Sequence, residues 1–73
     1  MSDKIETKYG TAKAEWIESK LQWEIKLFPK KLSDRRPLYK KVSDWLYKKN
    51  MTHTILQQRN NQLRVVAWNG DRV

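Results

Sequence analysis

Hydrophobic residues between Thr11 and Pro29 recur at a spacing typical of a helix. Thr11 follows a glycine and is a fair N-cap, the intervening Ala, Glu, Lys, Leu and Gln residues favour helices, and Pro29 would end the helix. The pattern therefore predicts a first helix over residues 11–28. Its apolar face would consist of residues three or four positions apart: Ala14, Ile17, Leu21, Ile25 and Phe28.

The end of the same segment also fits a strand. From Leu21 to Leu27 apolar and polar residues alternate strictly, which would place the apolar side chains on one face of a strand. Composition favours the helix, and a third strand over residues 21–28 is the alternative.

A second helix is predicted over residues 33–49. Ser33 or Asp34 would cap it, Pro37 would lie in its first turn, and Asn50 suits the left-handed conformation that often follows a helix. Its apolar face would contain Leu38, Val42, Trp45 and Leu46, with Tyr39 at the edge. The opposite face would expose Lys40, Lys41, Lys48 and Tyr47.

A β-hairpin is predicted over residues 52–58 and 62–68, where β-branched and aromatic residues are enriched on both sides of Asn60 and Asn61. Asparagine tolerates positive φ, so these two residues would form the loop. The resulting cross-strand pairs are Gln58 with Leu63, Leu56 with Val65, and Ile55 with Val66.

These elements predict an α+β fold in which two helices pack on a C-terminal β-hairpin. Residues 11–68 would form one small basic domain, between a flexible N-terminus at 1–10 and a mobile C-terminus at 69–73. The order of helix, basic turn, basic helix and hairpin resembles the second half of a winged helix-turn-helix domain. The resemblance implies a recognition helix in the major groove of DNA and a hairpin wing against the backbone or minor groove.

Positive charge is concentrated in the middle of the chain. The protein has 16 Lys and Arg against 8 Asp and Glu, a net charge of +8. Residues 1–29 carry five bases and five acids, whereas residues 30–49 carry eight bases and two acids, a net charge of +6. An evenly solvated surface does not need this concentration, so we expect an anionic partner.

Nucleic acid is the partner that this basic segment favours. A phosphate backbone would meet cations from a loop, from a helix N-terminus and from the exposed helix face. The leading interpretation is a small non-enzymatic DNA-binding regulator or accessory factor, with duplex DNA favoured over RNA. Phosphate contacts are expected from Lys30, Lys31, Arg35, Arg36, Lys40, Lys41 and Lys48, with Tyr47 stacking and the hairpin residues Arg59 and Arg64 assisting.

A protein-binding module is the second interpretation. Four tryptophans among 73 residues exceed what so small a core can fully enclose. Trp16, Trp23 or Trp68 would then join the cations in docking on an acidic surface of a larger enzyme or assembly, as an inhibitor or adaptor does. A homodimer is compatible with either interpretation.

The residue types argue against catalysis. With one histidine, no cysteine and two glycines, the chain offers no convergent catalytic set and no phosphate loop. No metal site and no cofactor are expected, and His53 is interpreted as a half-exposed strand residue. Apolar runs fall far short of the roughly 20 residues that cross a bilayer, so we expect a cytoplasmic protein without a membrane partner.

Overall fold

The protein forms a five-stranded antiparallel sheet with one helix packed on one face, in a computed structural model that describes residues 2–60 and 62–70. The strand order across the sheet is β1-β2-β3-β5-β4. The helix follows a short 3-10 turn at Leu32–Asp34. The elements are β1 (Ser2–Thr7), β2 (Gly10–Ile17), β3 (Gln22–Pro29), α1 (Arg35–Lys48), β4 (His53–Arg59) and β5 (Gln62–Trp68).

The predicted fold of two helices on a hairpin is wrong, because residues 11–28 form β2 and β3 rather than a helix. The two strands pair in register, with Ala14 opposite Ile25 and Trp16 opposite Trp23. A helix would have required Leu21 and Phe28 in its apolar face, yet these side chains are 44% and 42% exposed. The alternative strand over residues 21–28 is correct. The likeness to a winged helix-turn-helix domain is lost together with the first helix.

The N-terminal residues, expected to be flexible, form the edge strand β1. Ser2–Thr7 pairs with β2, and Ile5 lies opposite Ala12. Ile5 packs against the core from the edge of the sheet. At the other end of the chain, residues 71–73 of the expected mobile C-terminus lie outside the described residues.

The predicted second helix and the predicted hairpin register are confirmed. Asp34 is the N-cap of α1, and Asn50 has φ of 64° just after the helix. In the hairpin, Ile55 pairs with Val66, Leu56 with Val65 and Gln58 with Leu63. Asn60 of the predicted loop has φ of 52°, while Asn61 lies outside the described residues.

The core is a single layer between α1 and the sheet. The helix packs mainly over β1, β2 and β3, and β4 is exposed along its whole length. Alternate residues of the central strands point into the core, and the intervening residues form an open face on the other side of the sheet. The buried apolar residues are Ala12, Ala14, Trp23, Ile25, Leu27, Leu38, Val42, Leu46, Leu63, Val65 and Ala67.

In the part of the chain that the structure describes, no helix is both long and apolar enough to cross a membrane.

Candidate nucleic-acid interface

The segment with the highest charge density begins as a loop and continues as α1. The first turn of the helix has no acidic residue, and the N-cap Asp34 makes no side-chain capping bond. Basic side chains near a helix N-terminus are repelled by the helix dipole, and each one destabilises the helix by about 0.3–1 kcal/mol. One of them, Arg35, is half-buried and donates a hydrogen bond of 2.9 Å from Nη2 to Oε1 of Gln58 in β4. Arg35 therefore joins the helix to the sheet.

The helix separates its apolar and basic residues cleanly. Leu38, Val42 and Leu46 are at most 1% exposed and hold α1 against the sheet. The opposite face is open to solvent, and Tyr47 at its centre is 81% exposed. Asp44 is the acidic residue of this face. The exposed cations of the loop and helix form what we call the helix-side basic surface: Lys30, Lys31, Arg36, Lys40, Lys41 and Lys48.

Within the described residues, the cations of the helix-side basic surface have no carboxylate partners. Ion pairs in residues 2–60 and 62–70 lie on the sheet and its turns: Lys4 Nζ is 3.1 Å from Glu6 Oε1, and Glu24 accepts Arg64 at 3.7 Å and Lys20 at 4.0 Å. None of them involves the helix-side basic surface. Its charge is therefore available to an external anion.

The two hairpin arginines do not lie with the helix cations. Arg64 alternates with the buried residues Leu63 and Val65, so it projects from the open face of the sheet. Arg59 shares that face, because its neighbour Gln58 points to the helix side and bonds Arg35. The sheet lies between these arginines and the helix-side basic surface.

The tryptophans chosen as a docking patch divide between the two faces of the sheet. Trp23 is 6% exposed and packs edge-on against Trp16 and Trp45, with ring centroids 5.6 and 5.1 Å apart. Lys49 covers this cluster with its Nζ 4.6 Å from the Trp45 centroid. Trp68, on the open face, is stacked on His53 at 5.5 Å.

Sequence reasoning missed a row of cations on the open face. Lys4, Lys13, Lys26 and Arg64 come from β1, β2, β3 and β5 and lie opposite one another in register. We call them the sheet-side cation row. The strict alternation of residues 21–27 is the signal in the sequence that indicates this row. In a strand, Lys26 points to the face opposite Ile25 and Leu27, so it is exposed on the open face when those two are buried. The neighbouring row contains the opposed pair Glu15 and Glu24, which offsets part of the positive charge.

Within the described residues, no three His, Asp or Glu side chains are grouped closely enough to hold a metal ion. Comparison of the chain with protein-family models, with curated proteins and with solved structures finds no match. The function is therefore inferred from the surfaces described above.

Proposed function

We propose that this protein binds nucleic acid without catalysing a reaction, and that its helix-side basic surface contacts the phosphates of duplex DNA. One observation carries the proposal: the six cations of α1 and of the loop before it are exposed, and none of them forms an ion pair within the described residues. Binding to a polyanion would release condensed counterions, and each phosphate that a cation neutralises adds to that gain.

The shape of the surface supports a duplex partner. The 14 residues of α1 extend over about 21 Å at 1.5 Å per residue, and the helix lies on top of the sheet with its basic side outward. Such a ridge can follow the backbone of a double helix or enter the rim of its major groove, which is about 12 Å wide.

The aromatic content of the surface supports a duplex over a single strand. Proteins that bind single strands usually stack successive bases on several aromatic rings. In the part of the chain that the structure describes, α1 and the loop before it carry one exposed aromatic ring, that of Tyr47. This ring would rest against a sugar while the cations bind phosphates. With these contacts the protein would act as a small cytoplasmic regulator or accessory factor.

The proposal is tested with a pair of matched double variants. Lys40→Glu with Lys41→Glu reverses two charges on α1, and Lys13→Glu with Lys26→Glu reverses two charges on the opposite side of the molecule. Affinity is measured by fluorescence anisotropy with labelled duplex DNA, single-stranded DNA and RNA. We expect the helix variant to bind duplex at least about tenfold more weakly than the sheet variant, a difference of about 1.4 kcal/mol.

The other outcomes are equally informative. If the sheet variant loses more affinity than the helix variant, the binding surface is the sheet-side cation row. If the wild-type protein binds none of the three nucleic acids at low salt, the proposal fails. Docking on an acidic protein would then use the same cations, without the side chain of Trp23, which is buried.

A further inference from the structure

The two edges of the sheet differ in chemistry. An edge strand presents unpaired N–H and C=O groups, and soluble proteins usually protect it with charged side chains or proline. The edge strand β1 carries Asp3, Lys4 and Glu6 within its six residues. The edge strand β4, with the sequence HTILQQR, has neither acid nor lysine nor proline, and its permanent charge is confined to Arg59 at its end.

The edge strand β4 exposes two large apolar side chains. Ile55 on the open face and Leu56 on the helix side are each 47% exposed. Because α1 packs mainly over β1 to β3, nothing in the described chain covers Leu56 fully. Leu32, 77% exposed, lies in the loop before the helix and lines a groove with Gln58 and Leu63. The unprotected edge is thus also the apolar edge.

The backbone groups that β4 leaves free can be identified from its register. Arg59 and Gln62 are the last cross-strand pair before the connection of the hairpin, and in a hairpin with two residues between the paired positions this last pair is the hydrogen-bonded kind. Bonded pairs then alternate along the ladder, so every second residue of β4 points its N–H and C=O away from β5. These residues are Thr54, Leu56 and Gln58.

This arrangement is self-complementary. A second β4 in antiparallel orientation, related by a two-fold axis at Leu56, places Leu56 opposite its own copy and Thr54 opposite the copy's Gln58. Each of these pairs exchanges N–H···O=C bonds, and no carboxylate or lysine meets its like. The two Leu56 side chains pack on each other on the helix side of the joined sheet.

We propose that two copies of this protein form a homodimer by pairing β4 with β4 around Leu56, which joins the two sheets edge to edge. The dimer removes the unprotected edge and covers Leu56. It leaves β1, with its charged side chains, as the edge at both ends of the combined sheet. The pairing does not use the helix-side basic surface, so dimerisation and DNA binding are tested separately.

The absence of cysteine from the chain allows a direct test of the register. In the proposed dimer the two Cα atoms of residue 56 are about 5.5 Å apart, within the range that a disulfide bridges. The two copies of residue 58 are separated by four positions along the strand, about 14 Å at roughly 3.4 Å per residue. Under mild oxidation, Leu56→Cys should form a covalent dimer at least about tenfold faster than Gln58→Cys. Equal rates for the two variants would overturn the proposed register.

Sedimentation velocity over a concentration series tests the dimer without a cross-link. We expect a monomer–dimer equilibrium for the wild type, and a dissociation constant at least about tenfold higher for Leu56→Lys, which places two ammonium groups opposite each other. Ser19→Lys adds the same charge in the exposed turn between β2 and β3 and should leave the equilibrium unchanged.

A wild-type protein that is monomeric at every concentration would overturn the proposal. A dimer that Leu56→Lys does not weaken would also overturn it, because another surface would then hold the two copies together. Circular dichroism of each variant verifies that the monomer is folded. Neither result depends on whether the protein binds DNA.

Discussion

At the scale of single residues, Trp23 shows how strand pairing changes the role of a side chain. On a helix it would lie on a secondary stripe with Trp16, away from the main apolar face. In the sheet it lies opposite Trp16 and beneath α1, where its ring contacts Trp45 and the Lys49 ammonium group. A residue that resembles a surface anchor in the sequence is therefore part of the core.

Replacement of Trp23 should destabilise the domain strongly. Trp23→Ala removes a side chain that is 6% exposed and leaves a cavity between β3 and α1, which typically costs about 3 to 5 kcal/mol. Tyr47→Ala is the aromatic control, because Tyr47 is 81% exposed and should change the free energy of unfolding by about 0.5 kcal/mol or less. Urea unfolding followed by circular dichroism measures both, and equal effects would contradict the burial of Trp23.

Gly10 is a position where the backbone excludes a side chain. Its φ is 142°, and a Cβ there would meet the carbonyl oxygen of Phe28 and lie 2.8 Å from Pro29 Cα. Because both obstacles are backbone atoms of the neighbouring strand, they cannot rotate away. This glycine lets β2 begin directly beside the end of β3.

The effect of filling this position can be measured. We expect Gly10→Ala to lower the free energy of unfolding by about 2 kcal/mol or more, through strain and separation of the two strands. Gly70→Ala, whose Cβ would meet the movable ring of His53 at 2.8 Å, should cost less than about 1 kcal/mol. Thermal unfolding of the two variants in parallel measures both losses of stability. A larger loss for Gly70→Ala than for Gly10→Ala would contradict the close approach at Gly10.

At the scale of elements, α1 combines structural and proposed binding residues on opposite faces. Its Leu38, Val42 and Leu46 form the helix side of the core, while Arg36 and Lys40 project to solvent. Asp44 interrupts the basic face, four residues after Lys40. Its carboxylate would repel the same phosphates that the lysines attract.

Neutralising Asp44 should strengthen DNA binding. For Asp44→Asn we expect the duplex affinity to rise about two- to threefold at low salt, as is typical of one exposed charge. Glu15→Gln makes the same change in net charge on the open face of the sheet and should have a smaller effect. Anisotropy titrations of the two variants decide between a local effect and a general effect of net charge, since the latter would move both equally.

At the scale of the whole molecule, charge is distributed unequally between the two sides of the sheet. The carboxylates Glu6 and Glu24 pair with cations on the sheet side. The helix-side basic surface has no such pairing within the described residues. This polarity would orient the protein so that α1 faces a polyanion.

The salt dependence of binding measures how many cations take part. If all six residues of the helix-side basic surface contact phosphates, log Kobs against log salt should have a slope of about −5, at about −0.9 per contact. The Lys40→Glu and Lys41→Glu double variant should have a slope shallower by about 2. A wild-type slope shallower than about −2 would mean that few phosphates are contacted and would argue for a different surface.

Two elements are determined by the local sequence alone. Residues 33–49 carry a single periodicity, with Pro37 in the first turn and Asn50 after the end, and the structure has a helix there. The hairpin register follows from its two-residue loop and alternating residues, and each pair expected from the sequence is present. In both cases the contacts that decide the structure connect residues close in the chain.

The structure of residues 11–28 and the composition of the candidate site depend on the tertiary structure. This segment carries both a helical spacing and an alternation, and hydrogen bonding to β1 and to the distant β5 selects the strands. The sequence also grouped Arg59 and Arg64 with the helix cations, because it does not show which face of the sheet α1 covers. Packing of α1 on the face with Leu63 and Val65 leaves Arg64 on the opposite side. Whether the hairpin arginines lie near the helix cations therefore depends on the assembled sheet. The sequence of a strand shows which residues share a face, but only packing decides which face the helix covers.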